Sequence, residues 1–372
     1  MVTRRGFAAR LGMAAAAARL LPEMALAQRA AVKGSDLPSD TVWLNSNEFP
    51  AGPTPAVLAT MQKLLPTTNR YHYQEFQEIY QAIASSEDLK PEQIITGCGS
   101  SEVLHTAVDA FTSATRPLIS VTPAYESPLE TAQALGHKVV LRKLREDYTA
   151  DVRALAEEAD KAKGGFIYLC NPNNPTSAMT SAHDVDWLVH NLPPNTMLMV
   201  DEAYIHFGES PDLQSAIPYV QQGKDVIVAR TFSKIYGMAG LRVGFAAARP
   251  DIIERLAPLR MNVIPIVSAR AVVTALGERS TVLPARKASL AHTRRELCSW
   301  LTERQVKFIP PHANFMMVDC GRNAREFISK MPKLGVAPGR PFPPLDNMLR
   351  VTIGTDTEMA KFREVFWKVY RG

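Results

Sequence analysis

The chain has 372 residues, with 46% hydrophobic and 21% charged residues, a soluble globular composition long enough for one large domain or two. Net charge is +5, and most of it lies in the first 27 residues, where Arg4, Arg5, Arg10 and Arg19 face the single Glu23. The nearly neutral remainder, with no basic run interleaved with aromatics, argues against nucleic acid, and no run reaches the about 18 apolar residues of a spanning helix.

Thr3-Arg4-Arg5-Gly6-Phe7, the Ala-rich stretch Leu11 to Ala18 and the small-x-small site Ala25-Leu26-Ala27 resemble a twin-arginine export signal over residues 1–27. Arg10 and Arg19 interrupt the apolar stretch, so an uncleaved Arg-rich helix or a transit-like peptide are the alternatives. Periplasmic or exported placement is the expectation, and a cytoplasmic one if the leader is no signal. Residues 28–40 are polar and aperiodic and read as a linker. The four cysteines form no C-x-x-C pair, and Cys298–Cys320 is the one pair worth testing for a disulfide in an exported protein. The eight histidines show no metal-ligand spacing.

From residue 91 short apolar runs alternate with amphipathic stretches. Strands are predicted at 92–96, 117–121, 137–141, 165–170, 196–201, 225–230 and 242–248, and helices at 101–113, 125–135, 149–160 and 181–190. The alternation predicts an α/β fold with a mostly parallel seven-stranded sheet covered on both faces. After about residue 265 helices at 266–276 and 286–305, strands at 313–319 and 348–353 and a final helix at 356–370 predict a smaller α+β domain.

Parallel sheets bind ligands beyond the carboxyl ends of their strands. Five polar clusters fall there: Gly97 to Ser101, Thr122 to Tyr125, Asn171 to Thr176, Asp201 to Tyr204, and Thr231 to Lys234. Lys234 follows a buried strand, where desolvation and neighbouring cations favour a neutral, nucleophilic amine; most lysines are instead solvated surface charges. Ser233 and Arg242 suit a phosphate dianion. Ser100 and Ser101 follow Gly97 and Gly99 at a helix start, which is either an anion site or an ordinary capped turn. Asp201 ends an apolar run, and a carboxylate there needs a cation such as a protonated pyridine nitrogen, or caps the next turn. Asn174 and Tyr204 can donate to a phenolate oxygen, although Asn-Pro runs are also plain turns. Tyr125 could stack on an aromatic ring or be a core tyrosine. Arg350, on a strand, could clamp a carboxylate with its planar fork or form a surface ion pair.

Together these residues resemble the fold-type I aminotransferases that use pyridoxal 5′-phosphate (PLP), in the branch of the histidinol-phosphate aminotransferases. The resemblance runs from about Leu44 to the C-terminus and rests on Asn171-Pro-Asn-Asn-Pro-Thr176, Asp201-Glu-Ala-Tyr204, Thr231-Phe-Ser-Lys234, Ala239-Gly-Leu-Arg242 and Leu349-Arg-Val-Thr-Ile-Gly-Thr355. It implies a large PLP-binding domain over 66–265, a small domain over 266–372, and a segment over 41–65 that packs with the small domain and the site. Lys234 is implied to carry PLP and shuttle the proton, Asp201 to pair with the pyridine nitrogen, and Asn174 and Tyr204 to bind the ring oxygen. Tyr125 is implied to stack on the ring, and Ser100, Ser101, Ser233 and Arg242 to hold the phosphate. Tyr71 resembles a tyrosine that reaches the partner subunit's cofactor phosphate, implying a homodimer. On the substrate side the resemblance implies Arg350 for the carboxylate, Asn47 and Glu48 for a covering segment, and Asn314 and Arg340 as further contacts.

The departures cluster around the substrate. Ser177 replaces the last residue of the usual Asn-Pro-Thr-Gly, Phe49 stands where some members have Tyr, and Arg70-Tyr71-His72-Tyr73 replaces Arg-Tyr-Pro-Asp. The implied activity is transfer of an amino group from histidinol phosphate or a free, possibly aromatic, amino acid to a 2-oxo acid such as 2-oxoglutarate. A PLP-dependent decarboxylase of a phosphorylated amino acid shares the fold, and a non-catalytic PLP-binding domain is the third reading.

Overall fold

The computed structural model describes residues 37–372; the leader read over 1–27 lies outside them, as does most of the 28–40 linker. The first strand, β1 (Val42–Leu44), precedes the helices Pro55–Leu64 and Phe76–Ser86. Seven strands follow: β2 (Ile94–Cys98), β3 (Leu118–Thr122), β4 (Val139–Lys143), β5 (Gly165–Cys170), β6 (Thr196–Asp201), β7 (Val226–Thr231) and β8 (Val243–Ala247). They form one sheet in the order β2-β8-β7-β6-β5-β3-β4. The expected seven-stranded, mostly parallel sheet is present, and β8 is its reversed strand, antiparallel to both β2 and β7.

β5, β6 and β7 are buried at every position. Their unbroken apolar runs therefore match strands covered on both faces, where each fully buried Val, Leu, Ile or Phe stabilises by roughly 1.5–3 kcal/mol. Observed strand limits lie within two residues of the expected ones. β2 begins at Ile94 rather than 92 because Pro91–Gln93 forms a 3-10 turn.

The C-terminal part contributes β9 (Phe315–Asp319) and β11 (Met348–Thr352), an antiparallel pair, while β10 (Val336–Pro338) pairs in parallel with β1. The expected helix at 286–305 runs from Arg279 to Glu303 and passes through Pro284. Proline removes only one intrahelical bond so near the helix start, and the helix tolerates it. Its Arg286 bonds Ile235 O at 2.8 Å and Gly52 O at 2.6 Å, tying the segment after β1 to the loop after Lys234. Asp356–Arg371 closes the chain behind a capping box of Thr355 and Glu358. Among the described residues no helix is long and apolar enough to cross a membrane. The four cysteines are free, so the Cys298–Cys320 pair is not formed.

Candidate active site

Because β8 is reversed, β2 runs parallel with β7, β6, β5 and β3, and the carboxyl ends of these five strands share one sheet edge. The five polar clusters of the sequence meet there. Asn171 N bonds Asp201 O at 2.9 Å, and Asn173 Nδ2 bonds Pro123 O at 3.1 Å.

The anion end of the site is built on glycines. Gly99 has φ +76, and a Cβ on it would overlap the Arg242 guanidinium. A Cβ on Gly244 would overlap Ser100 N, so only glycine lets β8 pass under the start of the helix Ser100–Phe111. That helix has no side-chain cap, which leaves first-turn N–H groups open to an anion. Arg242 bonds Ser233 Oγ at 3.3 Å and Ala239 O at 2.9 Å, and it has no carboxylate partner among the described residues. The Ser233 hydroxyl, free N–H groups at the helix start and a guanidinium without a carboxylate partner thus lie at one end of the site.

Asp201 is buried at the end of β6. Tyr168 donates to its Oδ2 at 2.9 Å and Ala203 N to its Oδ1 at 3.1 Å. Burial still pushes its pKa up to about 6, outweighing both hydrogen bonds. Only a cation brought close would hold it ionised without that penalty. Tyr168 was hidden in an apolar run; a hydroxyl in a strand buried on both sides needs a partner, and that requirement is the signal that could have found it. Glu202, next in sequence, turns away into a buried ion pair with Arg230 at 2.8 Å and belongs to the core.

Lys234 Nζ donates to Ser46 O at 3.2 Å and stands 5.6 Å from the Tyr204 ring centre. Desolvation lowers its pKa to about 8, helped by the charges of Arg350 and Arg242 and opposed by Glu48 and Asp201. Tyr125 is half-buried, and burial raises the pKa of its hydroxyl.

On the opposite wall Arg350 is buried on β11. Its Nη1 donates to Asn174 Oδ1 and its Nη2 to Asn45 O, each at 2.7 Å, while its Nε has no partner. Arg350 thus occupies the oxygen of Asn174 and leaves the amide nitrogen as that side chain's donor. Asn47 Nδ2 bonds Tyr204 Oη at 3.2 Å, and Asn314 Nδ2 bonds Asn47 O at 3.0 Å and Glu48 O at 3.3 Å. Glu48 itself is exposed at the rim.

Two expected residues stand differently from the rest. Tyr71 is 74% exposed and stacks on Tyr73, so the chain's own fold does not bring it to this cleft. Arg340 reaches the cleft but is paired with Glu126. Sequence reasoning missed Glu126, and it missed the role of Ser177. Ser177 adopts φ +63, and its Oγ accepts from His312 N at 3.0 Å and Ala313 N at 2.9 Å, just before Asn314. The hydroxyl accounts for a serine at a backbone position that favours glycine.

A phosphate cradle, a buried carboxylate wanting a cation, a desolvated lysine and two donors for a ring oxygen fit PLP. The sequence profile of aminotransferase class I and II matches residues 39–366. The chain is 32% identical over 339 residues to a histidinol-phosphate aminotransferase of Moorella thermoacetica, covering 87% of this chain and 84% of that one. It is 32% identical over 344 residues to an aromatic amino acid aminotransferase of Mycobacterium avium, covering 92% and 95%. The crystal structure of the histidinol-phosphate aminotransferase of Sinorhizobium meliloti in complex with pyridoxal-5′-phosphate superposes with a TM-score of 0.83 at 25% identity, covering 89% and 91%. These relatives favour the aminotransferase reading over the decarboxylase and non-catalytic ones. The chain belongs to the class I and II aminotransferases, PLP-dependent enzymes of fold type I that move an amino group between small molecules.

Proposed function

We propose that the chain runs a two-stage transamination, taking the amino group from a free amino acid or from histidinol phosphate and passing it to a 2-oxo acid such as 2-oxoglutarate. The observation that carries this reading is the placing of Lys234, Asp201 and Arg350 on one cleft. PLP, when bound, supplies an electron sink for the charge left on the substrate carbon. Lys234 Nζ, half of it neutral at pH 8, takes the proton from the substrate Cα and passes it to the cofactor side, and the opposite stage runs this transfer in reverse. Asp201 supplies the carboxylate for the ring nitrogen, Asn174 and Tyr204 the donors for the ring oxygen, and Tyr125 the stacking face. Ser100, Ser101, Ser233 and Arg242 hold the phosphate. Arg350 grips the substrate anion and orients the Cα–H bond. Asn47 and Asn314 hold the covering segment with Glu48 at its rim, which keeps water from the reacting carbon.

The working unit in this reading is a homodimer. Tyr71 and Tyr73, stacked on one another and exposed by 74% and 59%, offer a large aromatic surface suited to a partner subunit. Residues 66–265 serve as the cofactor domain and 266–372 as the smaller one. The Arg4-Arg5 leader supports export of a folded, cofactor-loaded enzyme; outside the cytoplasm free amino acids, aromatic ones among them, become the expected donors.

A donor panel added to the PLP-loaded enzyme without acceptor tests the activity. Histidinol phosphate, histidine, aromatic amino acids and glutamate are compared by the decay of the bound-cofactor absorption band. Decay with at least one donor, reversed by a 2-oxo acid, is expected. Carbon dioxide release with no acceptor requirement overturns the reading.

A further inference from the structure

Arg350 has a neighbour of like charge. Gly339 N bonds Arg350 O at 2.9 Å, and a Cβ on Gly339 would lie 3.3 Å from Arg350 Nε. This close packing brings the next residue, Arg340, beside Arg350, and both guanidiniums stack on Phe342. The ring centre is 4.2 Å from Arg340 Cζ and 4.5 Å from Arg350 Cζ. Two cations sharing one buried ring repel unless a negative charge intervenes. That charge is Glu126, whose carboxylate pairs with Arg340 Nη2 from the opposite wall of the cleft, next to Tyr125. The fields of Arg340 and Glu126 both reach Arg350. Arg350 Nε, buried and unpartnered, remains as a donor without an acceptor.

The subsite therefore holds two positive charges and one negative, a net single charge. A carboxylate carries one negative charge, whereas a phosphate monoester carries about 1.5 to 2 at neutral pH. A phosphate would need the Arg340 fork as well, would have to break its pair with Glu126, and would then face the freed carboxylate.

We propose that Glu126 sets anion selectivity at the Arg350 subsite, so that donors with a carboxylate on the amino-bearing carbon are accepted ahead of donors with a phosphate ester in its place. This rests on the reading of Arg350 as the substrate-anion site. It deepens the proposed activity by selecting free amino acids over histidinol phosphate.

The test compares two matched probes on PLP-loaded enzyme, 3-phenylpropionate and 2-phenylethyl phosphate, by calorimetric titration. The same proteins are then assayed in single turnovers with phenylalanine and with histidinol phosphate. In Glu126→Gln the preference for carboxylate over phosphate is expected to fall about five- to tenfold, the size of one partly screened ion pair. Glu126→Ala is expected to move it the same way, and serves should the first variant fail to fold. An unchanged preference in a folded Glu126 variant, with both probes weakened by Arg350→Gln, overturns the role of Glu126 alone. Carboxylate binding unaffected by Arg350→Gln overturns the subsite itself, and this proposal with it.

Discussion

Arg350 Nη1 donates to Asn174 Oδ1 at 2.7 Å across 176 residues of chain, so the residue proposed to meet the substrate anion also orients the proposed donor for the cofactor ring. In that proposal, substrate arrival at Arg350 is felt at the amide of Asn174. Lysine keeps the charge but lacks the planar fork that bonds Asn174 and Asn45 together. Arg350→Lys is expected to lower kcat/KM for amino acid donors about 10- to 100-fold, the worth of one or two charge-assisted hydrogen bonds, and to shift the bound-cofactor band. Steady-state kinetics and absorption titration check both.

The amine of Lys234, lowered to about 8, gives the cofactor-loading step a pH signature. The neutral amine is the nucleophile, so loading of apoprotein is expected to accelerate through pH 8. Arg350→Gln, which removes the largest lowering charge, moves that midpoint upward. A lysine with a depressed folded-state pKa binds fewer protons than the unfolded chain between about 8 and 10.5, so its contribution to stability improves as pH rises over that interval. Lys234→Ala is expected to keep the fold, lose covalent cofactor and lose at least about 10³-fold in turnover. Stopped-flow absorption against pH reads the first effect, and melting curves read the fold.

Asp201 has the opposite sense. Its folded pKa is raised from 3.8 to about 6, so the folded apoprotein binds more protons than the unfolded chain between those values. Its stability contribution declines as pH rises from about 4 to 6 and stays low above. Asp201→Asn is expected to stabilise the apoprotein by about 2 kcal/mol at pH 7.5 and by little at pH 4, while weakening PLP binding. Thermal melts of both apoproteins at the two pH values decide it.

Ser177 separates two effects in one side chain. Ser177→Gly loses the hydroxyl that accepts from His312 N and Ala313 N but suits φ +63; Ser177→Ala loses the hydroxyl and keeps the strained backbone. Both are expected to destabilise by about 1–3 kcal/mol, with alanine about 1 kcal/mol worse. Denaturant midpoints measure the order.

His72 sits beside Tyr71 with φ +58, where proline, fixed near −65°, cannot fit. His72→Pro is thus expected to disrupt the Tyr71 loop although proline is common at this place in the resembled family. One ring nitrogen faces Glu75 Oε1 at 2.6 Å and the other Thr67 O at 2.9 Å, both acceptors, so the imidazolium is favoured and its pKa raised, first by the Thr67 carbonyl and then by Glu75. This loop contribution is complete below the ordinary histidine pKa and fades as pH rises through the higher folded value. Histidine proton shifts against pH, together with sedimentation of wild type and variant, test both statements.

Lys234, Asp201 and Arg350 were legible because each breaks an apolar run at a strand end or on a strand, where a charge is costly without a purpose. β5 and β6 were legible to the residue because both faces are covered and nothing polar interrupts them. β1 and β10 were not. Each has three residues, and they pair across nearly the whole chain, so neither shows a local period. Ser177, Glu126 and Tyr168 read locally as a turn, a helix start and a core aromatic. What gives them meaning is a partner 135, 214 and 33 residues away, respectively, and tertiary approach alone supplies it.

The reversed strand β8 has a consequence for assembly. Its neighbours end at the cofactor edge, whereas β8 starts there, directly after Arg242. Ser100 and Arg242 thus become neighbours only once β2, β8 and β7 have paired, a closure spanning some of the longest loops in the sheet. A nascent chain can form the β3 to β6 layers and still have no anion cradle. The anion cradle is therefore a product of long-range closure, and in the proposed site a bound phosphate would bridge the helix after β2 to Arg242 before β8, opposing separation of those two strands.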